Sequence, residues 1–337
     1  MSISKPAQGQ FIAEAVEPIS TAAALPGCVC AACGLVVPPT GPTVAPTSVA
    51  RPIHAQLDAA AAAIEARMIA WRRDFHAHPE LGNQETRTAG IVADHLKRLG
   101  YQVHERIATT GVVGLLKGEG GEGPVVALRA DMDALPVAEE VDLPFASKVT
   151  TQWGGETVGV MHACGHDCHV AVLMAVAEVL AELRGEWRGT VKLIFQPAEE
   201  GLPIGESGGA RVMVEQGAMI DPKPDVVFGL HVTSAMPVGV ISYKAGVTMA
   251  ASDTFRITVK GSQTHGAMPW KGVDPVTIGS TIVTTLQTIV SRESDINRNP
   301  AVVTVGQFKG GQRQNIISDK AELLGTARTY SDDHRGS

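Results

Sequence analysis

The sequence predicts an α/β fold with a mostly parallel sheet, followed by a smaller α+β domain. Between about residues 53 and 245, short apolar runs bounded by Gly and Pro alternate with segments of helical period, which is the order of βαβ units. Metal-binding types of side chain follow three of these runs directly. After residue 245 the order becomes strand, helix, strand, strand, which indicates an antiparallel α+β domain.

Length and composition limit the class of protein. The chain has 337 residues, so it can form one large or two ordinary domains. Its net charge is -7 and it has no basic stripe, which argues against a nucleic-acid partner. No apolar run reaches the roughly 18–20 residues that span a bilayer, and the first residues do not resemble a secretory signal. We therefore expect a cytoplasmic protein without a membrane partner.

The first 52 residues are rich in Ala, Pro, Thr and Val and have no helical or strand period. We interpret residues 1–52 as a low-complexity, disordered extension. Cys28, Cys30 and Cys33 lie inside it. Three thiols without a nearby fourth ligand make a poor metal site, so we interpret them as an incidental cluster, with a zinc-dependent binding module as the alternative.

The predicted catalytic domain covers residues 53–245. Helices are expected where apolar residues recur at helical spacing, and strands where short apolar runs end at Gly, Pro or a polar residue. The predicted order is helix 55–75, helix 85–99, strands 112–116 and 125–128, helix 168–183, and strands 191–195 and 226–230.

The second predicted domain covers residues 246–337. Residues 254–260 alternate between apolar and polar, as in a strand with one solvent-exposed face. The elements predicted after it are a helix at 275–290 and strands at 301–309 and 321–329. A complete ferredoxin-like βαββαβ unit needs one more helix and strand. The sequence begins a helix near residue 332 and then stops, so we expect this domain to be incomplete.

The segment 161–169 concentrates metal-binding side chains. Cys164 and His166 are two residues apart, and Gly165 between them lets the backbone turn so that both can face one point. The alternative is a buried Cys beside an ordinary loop His. We expect His162, Asp167 and His169 to orient the ligands or cap the following helix.

Further candidate ligands follow three predicted strands. In open α/β sheets, ligand sites gather at the carboxyl ends of strands. Asp131, the pair Glu199-Glu200 and His231 each follow a different strand, so we expect them to converge. One carboxylate of the pair can bind a metal while the other acts as a base on water. The alternative is a solvated acidic pair, which the preceding apolar strand and Pro197 disfavour.

At this point several motifs resemble the peptidase M20 amidohydrolases, within the subgroup of hippurate hydrolase and the indole-acetyl-amino-acid hydrolases. The resemblance extends from about residue 55 to residue 334. The motifs are FHAHPEL (75–81), RADMDALP (129–136), MHACGHD (161–167), QPAEEG (196–201), GLH (229–231) and HGAMP (265–269).

The resemblance implies a catalytic domain with two divalent metal ions and an inserted lid that also forms a homodimer. It implies that Cys164, His166, Glu200 and His231 bind metal and that Glu199 is the general base. It further implies roles for three residues of the second domain, which are unremarkable by spacing alone: His265 would steady the oxyanion in the partner subunit, and Asn315 and Arg328 would hold the substrate carboxylate.

The expected reaction is hydrolysis of the amide bond of a small N-acyl or N-aroyl amino acid. Zinc is the first choice of metal for a Cys, His and Glu ligand set, and manganese, cobalt and nickel stay open. The family pattern continues with a further metal-binding His that this chain lacks, so we expect a C-terminally truncated member. A catalytically impaired remnant and a related aminoacylase or carboxypeptidase-type peptidase are the alternatives.

Overall fold

The computed structural model describes residues 52–202 and 206–336, and the predicted N-terminal extension with Cys28, Cys30 and Cys33 lies outside them. The chain divides into two compact units: the first ends at Thr233 and the second begins at Ser234. None of the helices in the described ranges is long and apolar enough to cross a membrane.

Within the described residues, the first unit contains four α-helices and seven strands. The helices are α1 (Pro52–Ala77), α2 (Thr86–Arg98), α3 (His166–Glu182) and α4 (Gly209–Glu215). The strands are β1 (Gln102–Ile107), β2 (Gly111–Lys117), β3 (Val125–Asp131), β4 (Thr150–Trp153), β5 (Glu156–Gly159), β6 (Thr190–Gln196) and β7 (Val226–Gly229). β4 and β5 form a separate hairpin, and the other five strands form one sheet in the order β1-β2-β6-β3-β7.

This sheet is mixed, which corrects the prediction of a mostly parallel sheet. β1 pairs antiparallel with β2, and β2 pairs antiparallel with β6. The reason is a tight reversal between β1 and β2, where Ala108 and Thr109 both have positive φ. Only β6, β3 and β7 run parallel. These are the three strands that precede the candidate ligands, so their carboxyl ends still meet at one edge.

The main core lies between the sheet and helices α2 and α3. Phe195 and Leu193 of β6 are fully buried there, together with Val92 and Leu96 from the apolar face of α2. Full burial of such side chains stabilises the fold by roughly 1.5–3 kcal/mol each. Gly100 ends α2 with φ +82, the left-handed conformation that favours glycine after a helix.

The edge strand β7 differs from the other parallel strands. Its apolar sequence, Val-Val-Phe-Gly, resembles that of a buried strand, yet all four residues are exposed within the described part of the chain. Among the described strands, β7 is hydrogen-bonded on one side only, to β3, and so it lies at the edge of the sheet. The strand itself is where the sequence predicts it.

The second unit contains an antiparallel sheet with one helix packed against it. Its strands are β8 (Ala251–Lys260), β9 (Thr264–His265), β10 (Val302–Gly310), β11 (Ile316–Ile317) and β12 (Lys320–Thr329), and its helices are α5 (Pro275–Thr288) and α6 (Asp332–Gly336). The larger sheet has the order β10-β12-β8. The Asp274 carboxylate caps α5 by accepting hydrogen bonds from the backbone N–H groups of Val276 and Thr277.

Candidate metal centre

The turn at Gly165 brings Cys164 and His166 to one point. Gly165 has φ +83, and a side chain at this position would collide with Val232. His166 is the first residue of α3, so the helix begins two residues earlier than the sequence predicts. The Gly165 carbonyl accepts hydrogen bonds from the N–H groups of Cys168 and His169, which fixes the start of the helix directly behind the turn.

The four candidate ligands lie in one cluster at the carboxyl edge of the parallel strands. Cys164 Sγ is 3.3 Å from His231 Nε2, and His166 Nε2 is 3.7 Å from Glu200 Oε1. Ligand atoms of Cys164, His166 and His231 all lie within 4.8 Å of one another, and so do those of His166, Glu199 and Glu200. His166 belongs to both groups and therefore joins them.

Both candidate histidine ligands are held with Nε2 facing the cluster. His166 Nδ1 is 2.8 Å from the Asp133 carbonyl oxygen, and His231 Nδ1 is 2.6 Å from the Val232 carbonyl oxygen. Because a carbonyl can only accept a hydrogen bond, each Nδ1 carries the proton and donates it. The Nε2 lone pair of each ring is thereby left for a metal ion.

The polar atoms at the centre of the cluster fit a divalent cation. His166 Nε2 and Glu200 Oε1 are buried and have no hydrogen-bond partner among the described residues. Leaving such atoms unsatisfied costs roughly 1–3 kcal/mol each, and a metal ion would satisfy both. Two ligand atoms that each lie about 2.0–2.2 Å from one ion can be 3.7 Å apart, as these are. Thiolate, imidazole and carboxylate suit zinc and its neighbours.

Several carboxylates lie close together in the cluster, and their negative charge shifts the pKa values of neighbouring groups. Burial raises the pKa of Cys164 to about 12, and the nearby carboxylates of Glu200 and Glu199 add to the effect. Burial also raises the pKa of Glu199, again with a contribution from Glu200. Burial opposes protonation of His166, but the surrounding acids outweigh it and raise the pKa of that ring. A cation at the centre would reverse this balance.

Asp131 supports the cluster from β3, and its partner is His169. The Asp131 carboxylate lies 2.6 Å from His169 Nδ1 and 2.6 Å from Arg129 Nη1. Burial alone would raise the pKa of Asp131, but His169 and Arg129 hold it at about 2. His169 Nε2 accepts the Val232 N–H at 3.0 Å, so both ring nitrogens are engaged and His169 orients its neighbours instead of binding metal. Asp131 Oδ2, 3.5 Å from His166 Nε2, can still reach an ion.

Asp167 and His162 lie behind the cluster. Asp167 is buried and forms ion pairs with Arg72 and with His76, both on α1, and so ties the first turn of α3 to that helix. His162 is buried, and its two ring nitrogens have no hydrogen-bond partner in the described ranges. Burial lowers the pKa of His162 to about 4, so the ring is neutral. The supporting roles of Asp167 and His162 stay predictions.

The sequence reasoning missed two further acidic residues of the site. Asp133 Oδ2 accepts the Glu200 N–H at 2.9 Å, and Glu85 Oε1 accepts the Ala198 N–H at 2.8 Å. Asp133 lies two residues after Asp131, on the same strand end, and that spacing could have indicated it. Glu85 lies 113 positions before Ala198, and only the fold connects them.

The remaining predicted site residues lie in the second unit. His265 in β9 pairs with Ile316 in β11, and the Asn315 carbonyl accepts the Gly266 N–H at 2.8 Å, so His265 and Asn315 lie on neighbouring segments. Arg328 in β12 donates a hydrogen bond to Ser252 Oγ of β8. The role of each of these three residues stays a prediction.

Fold and site together define a class: an α/β unit with a cluster of Cys, His and Glu side chains that could hold a metal ion at the carboxyl edge of its parallel strands. Residues 127–329 match the profile of peptidase family M20/M25/M40. The chain belongs to this family.

Named relatives come from several organisms. The chain is 43% identical to an N-acyl-L-amino acid amidohydrolase of Geobacillus stearothermophilus, over 80% of this chain and 68% of that protein. It is 40% identical to an N-acetyl-L-cysteine deacetylase of Bacillus subtilis (81% and 61%) and 42% identical to thermostable carboxypeptidase 1 of Saccharolobus solfataricus (81% and 66%). The chain thus spans about two thirds or less of the length of these relatives. Their names cover several activities, so the predicted subgroup stays a prediction.

A solved structure agrees with the fold. The chain is 38% identical to the YXEP protein of Bacillus subtilis, described as a dinuclear metal binding peptidase of the M20 family. The TM-score is 0.62, and the match covers 82% of this chain and 67% of the other.

Proposed function

We propose that this chain contains the metal centre of an amidohydrolase that cleaves the amide bond of small N-acyl amino acids. Two relatives are named for this reaction: an N-acyl-L-amino acid amidohydrolase at 43% identity and an N-acetyl-L-cysteine deacetylase at 40% identity. The observation that carries the proposal is the position of Glu199. Its carboxylate lies 3.8 Å from His166 Nε2, beside a group of metal-type donors.

The two adjacent glutamates have different environments, which supports different roles. The Glu200 side chain is 21% exposed, and its Oε1 is buried without a hydrogen-bond partner among the residues that the structure describes; the Glu199 side chain is 41% exposed. Cys164, His166, Glu200 and His231 would hold the metal, and the dinuclear relative supports two ions. Bound divalent ions supply a polarised substrate carbonyl and a water of lowered pKa.

In this proposal Glu199 is the general base. Its pKa is raised by burial and by Glu200, which brings it closer to the pH at which a base works best. Glu199 takes a proton from the attacking water and passes it to the nitrogen of the leaving amino acid. The C–N bond breaks as that nitrogen becomes an amine, and the acyl group leaves as a carboxylic acid.

The second unit would complete the site from another copy of the chain. His265 would stabilise the oxyanion of the partner subunit, and Asn315 and Arg328 would bind the substrate carboxylate. Adjacent placement of His265 and Asn315 within the second unit supports a shared task. Within the acyl-amino-acid class we propose a hippurate-like, N-aroyl substrate. The carboxypeptidase relative supports a second candidate, cleavage of a C-terminal residue from a peptide.

The experiment compares the purified chain with its Glu199→Ala and Glu156→Gln variants, the latter an exposed acid of the β4–β5 hairpin. Each is loaded with Zn²⁺, Mn²⁺ or Co²⁺ and assayed on benzoyl-glycine, N-acetyl amino acids and short peptides. We expect Glu199→Ala to keep its metal content and lose turnover by about 10²- to 10⁴-fold, with Glu156→Gln unchanged.

Three other outcomes decide against parts of the proposal. Retained turnover in Glu199→Ala removes Glu199 from the role of base. Cleavage of peptides alone selects the carboxypeptidase-type activity. A wild-type chain that binds fewer than two ions and turns over none of these substrates is a catalytically impaired form.

A further inference from the structure

Glu85 is a buried carboxylate that none of the steps above uses. It is fully buried and occupies the N-cap position of α2, but its side chain makes no capping hydrogen bond to that helix. The carboxylate instead contacts two other segments: Oε1 accepts the Ala198 N–H at 2.8 Å, and Oε2 accepts the Thr110 hydroxyl at 2.5 Å. One of these hydrogen bonds therefore holds the backbone of the turn immediately before Glu199.

The backbone at Ala198 needs such an anchor. Ala198 has φ +49, a left-handed conformation that residues other than glycine rarely adopt. Neighbouring backbone crowds it: a β-carbon on Gly209 would lie 2.8 Å from the Ala198 carbonyl oxygen, and one on Gly82 would lie 3.1 Å from Ala198 Cα. The turn is thus strained and tightly enclosed, and its N–H is held by a buried acid.

A second acid holds the other side of the same turn. Asp133 Oδ2 accepts the Glu200 N–H, while the Asp133 backbone carbonyl holds His166 Nδ1. The contacts of Asp133 therefore fix two candidate metal ligands. The contact of Glu85 with Ala198 fixes the residue that immediately precedes Glu199.

We propose that Glu85 is a positioning residue, which holds the 197–200 turn so that the Glu199 carboxylate faces the metal centre. The inference rests on the proposed function for the role of Glu199. Asp133 would then hold the candidate ligands Glu200 and His166 in place, while Glu85 would hold the backbone next to the proposed base, Glu199.

The hydrogen-bond geometry also predicts what can replace Glu85. Burial raises the pKa of Glu85 to about 7, so both protonation states occur near neutral pH. An oxygen that accepts the Ala198 N–H is present in either state, because the Thr110 hydroxyl can donate to a carboxylate or accept from a carboxyl group. Gln offers the same oxygen to Ala198 and an amide N–H to Thr110. Ala and Met offer neither.

The test compares Glu85→Ala, Glu85→Gln and the control Glu80→Ala. Glu80 is a suitable control because its carboxylate accepts the N–H groups of Arg87 and Thr88 at 2.8 Å, at the start of the same helix. Its backbone carbonyl, which accepts the Ala134 N–H, is retained in the Ala variant. Measured quantities are kcat and KM on the best substrate, metal content, and hydrogen exchange of a peptide covering residues 197–202. Glu85→Met replaces Glu85→Ala if the smaller side chain prevents folding.

We expect Glu85→Ala to lower kcat about 10- to 100-fold with KM and metal content little changed, and to speed amide exchange in the turn. Glu85→Gln should stay within about threefold of wild type in both readouts, and Glu80→Ala should keep kcat. Unchanged exchange in Glu85→Ala overturns the proposal. So does an equal loss of kcat in Glu80→Ala, because the effect would then be general destabilisation.

The exchange measurement separates this inference from the proposed function. If the wild-type chain cleaves no acyl amino acid but Glu85→Ala still speeds exchange in the turn, the anchor stands and the substrate assignment fails. If the wild type is active and Glu85→Ala retains full kcat, the proposed function stands and the positioning role fails.

Discussion

Glu85 should make the first unit less stable as the pH rises, and replacement by Gln should abolish this effect. The pKa of Glu85 is raised by burial from its ordinary 4.5 to about 7 in the folded chain. A raised carboxyl pKa means that the folded state favours the protonated form. The stabilisation is complete below pH 4.5 and is lost as the pH rises through 7.

The magnitude follows from the size of this rise. Each unit of pKa corresponds to about 1.4 kcal/mol, so the rise from 4.5 to about 7 corresponds to about 3 kcal/mol in the free energy of unfolding. Glu85→Gln mimics the protonated form. Its free energy of unfolding should match wild type near pH 4 and exceed it by about 3 kcal/mol at pH 8.

Denaturant unfolding at a series of pH values measures this difference. Of the four tryptophans only Trp270 lies in the second unit, so a Trp270→Phe background makes fluorescence report on the first unit alone. Other acids cancel in the comparison of the two chains, and Asp131, with a pKa of about 2, titrates below this window in any case. A difference between the variants that stays constant from pH 4 to pH 8 would refute the reasoning.

Two further predictions concern the support of the ligands. Gly165→Ala should destabilise the first unit by about 1–3 kcal/mol and weaken metal binding, because the new methyl group collides with Val232 at a residue with φ +83. Thermal unfolding measures the loss of stability, and competition with a chelator measures the metal affinity. An unfolding midpoint equal to that of the wild type would contradict the prediction. His169→Ala should weaken metal binding about 10- to 100-fold, because it removes the hydrogen bonds of His169 to Asp131 and to the Val232 N–H beside His231. An unchanged metal affinity would show that His231 is oriented without His169.

Much of the fold could be predicted from the sequence because its strong signals are local. Buried apolar runs such as β2 and β6, and the stripe of α2, are long and regular enough to be recognised. β1 was missed because Gln-Val-His-Glu-Arg-Ile is an edge strand with exposed residues on both faces and no alternating pattern. That omission also concealed the antiparallel half of the sheet.

The candidate ligands could be predicted because residue type and position after a strand suffice to place them. Cys164, His166, Glu200 and His231 each stand where the chain leaves a strand or enters a helix, and parallel strands bring such positions together. The functions of Glu85 and Asp133 could not be predicted in this way. Their partners are backbone N–H groups in a turn, and every residue type except proline supplies a backbone N–H.

The negative charge of the candidate metal centre predicts that metal binding releases protons from the chain. In the metal-free chain burial and the two glutamates raise the pKa of Cys164 to about 12, so at pH 7.5 the thiol is protonated. A thiol must lose its proton to bind zinc, and metal loading should therefore release at least one proton per chain. The affinity should fall as the pH falls, because protons then compete with the metal.

Titration with Zn²⁺ in weakly buffered solution containing a pH indicator measures the release directly. Cys164→Ser is the matched control, since the hydroxyl keeps the shape of the side chain and does not ionise as a thiol does. We expect about one proton fewer per ion from this variant than from wild type. Equal release from both chains would mean that Cys164 does not bind the metal as a thiolate, and the ligand set would then have to be built from His166, Glu200, His231 and Asp131.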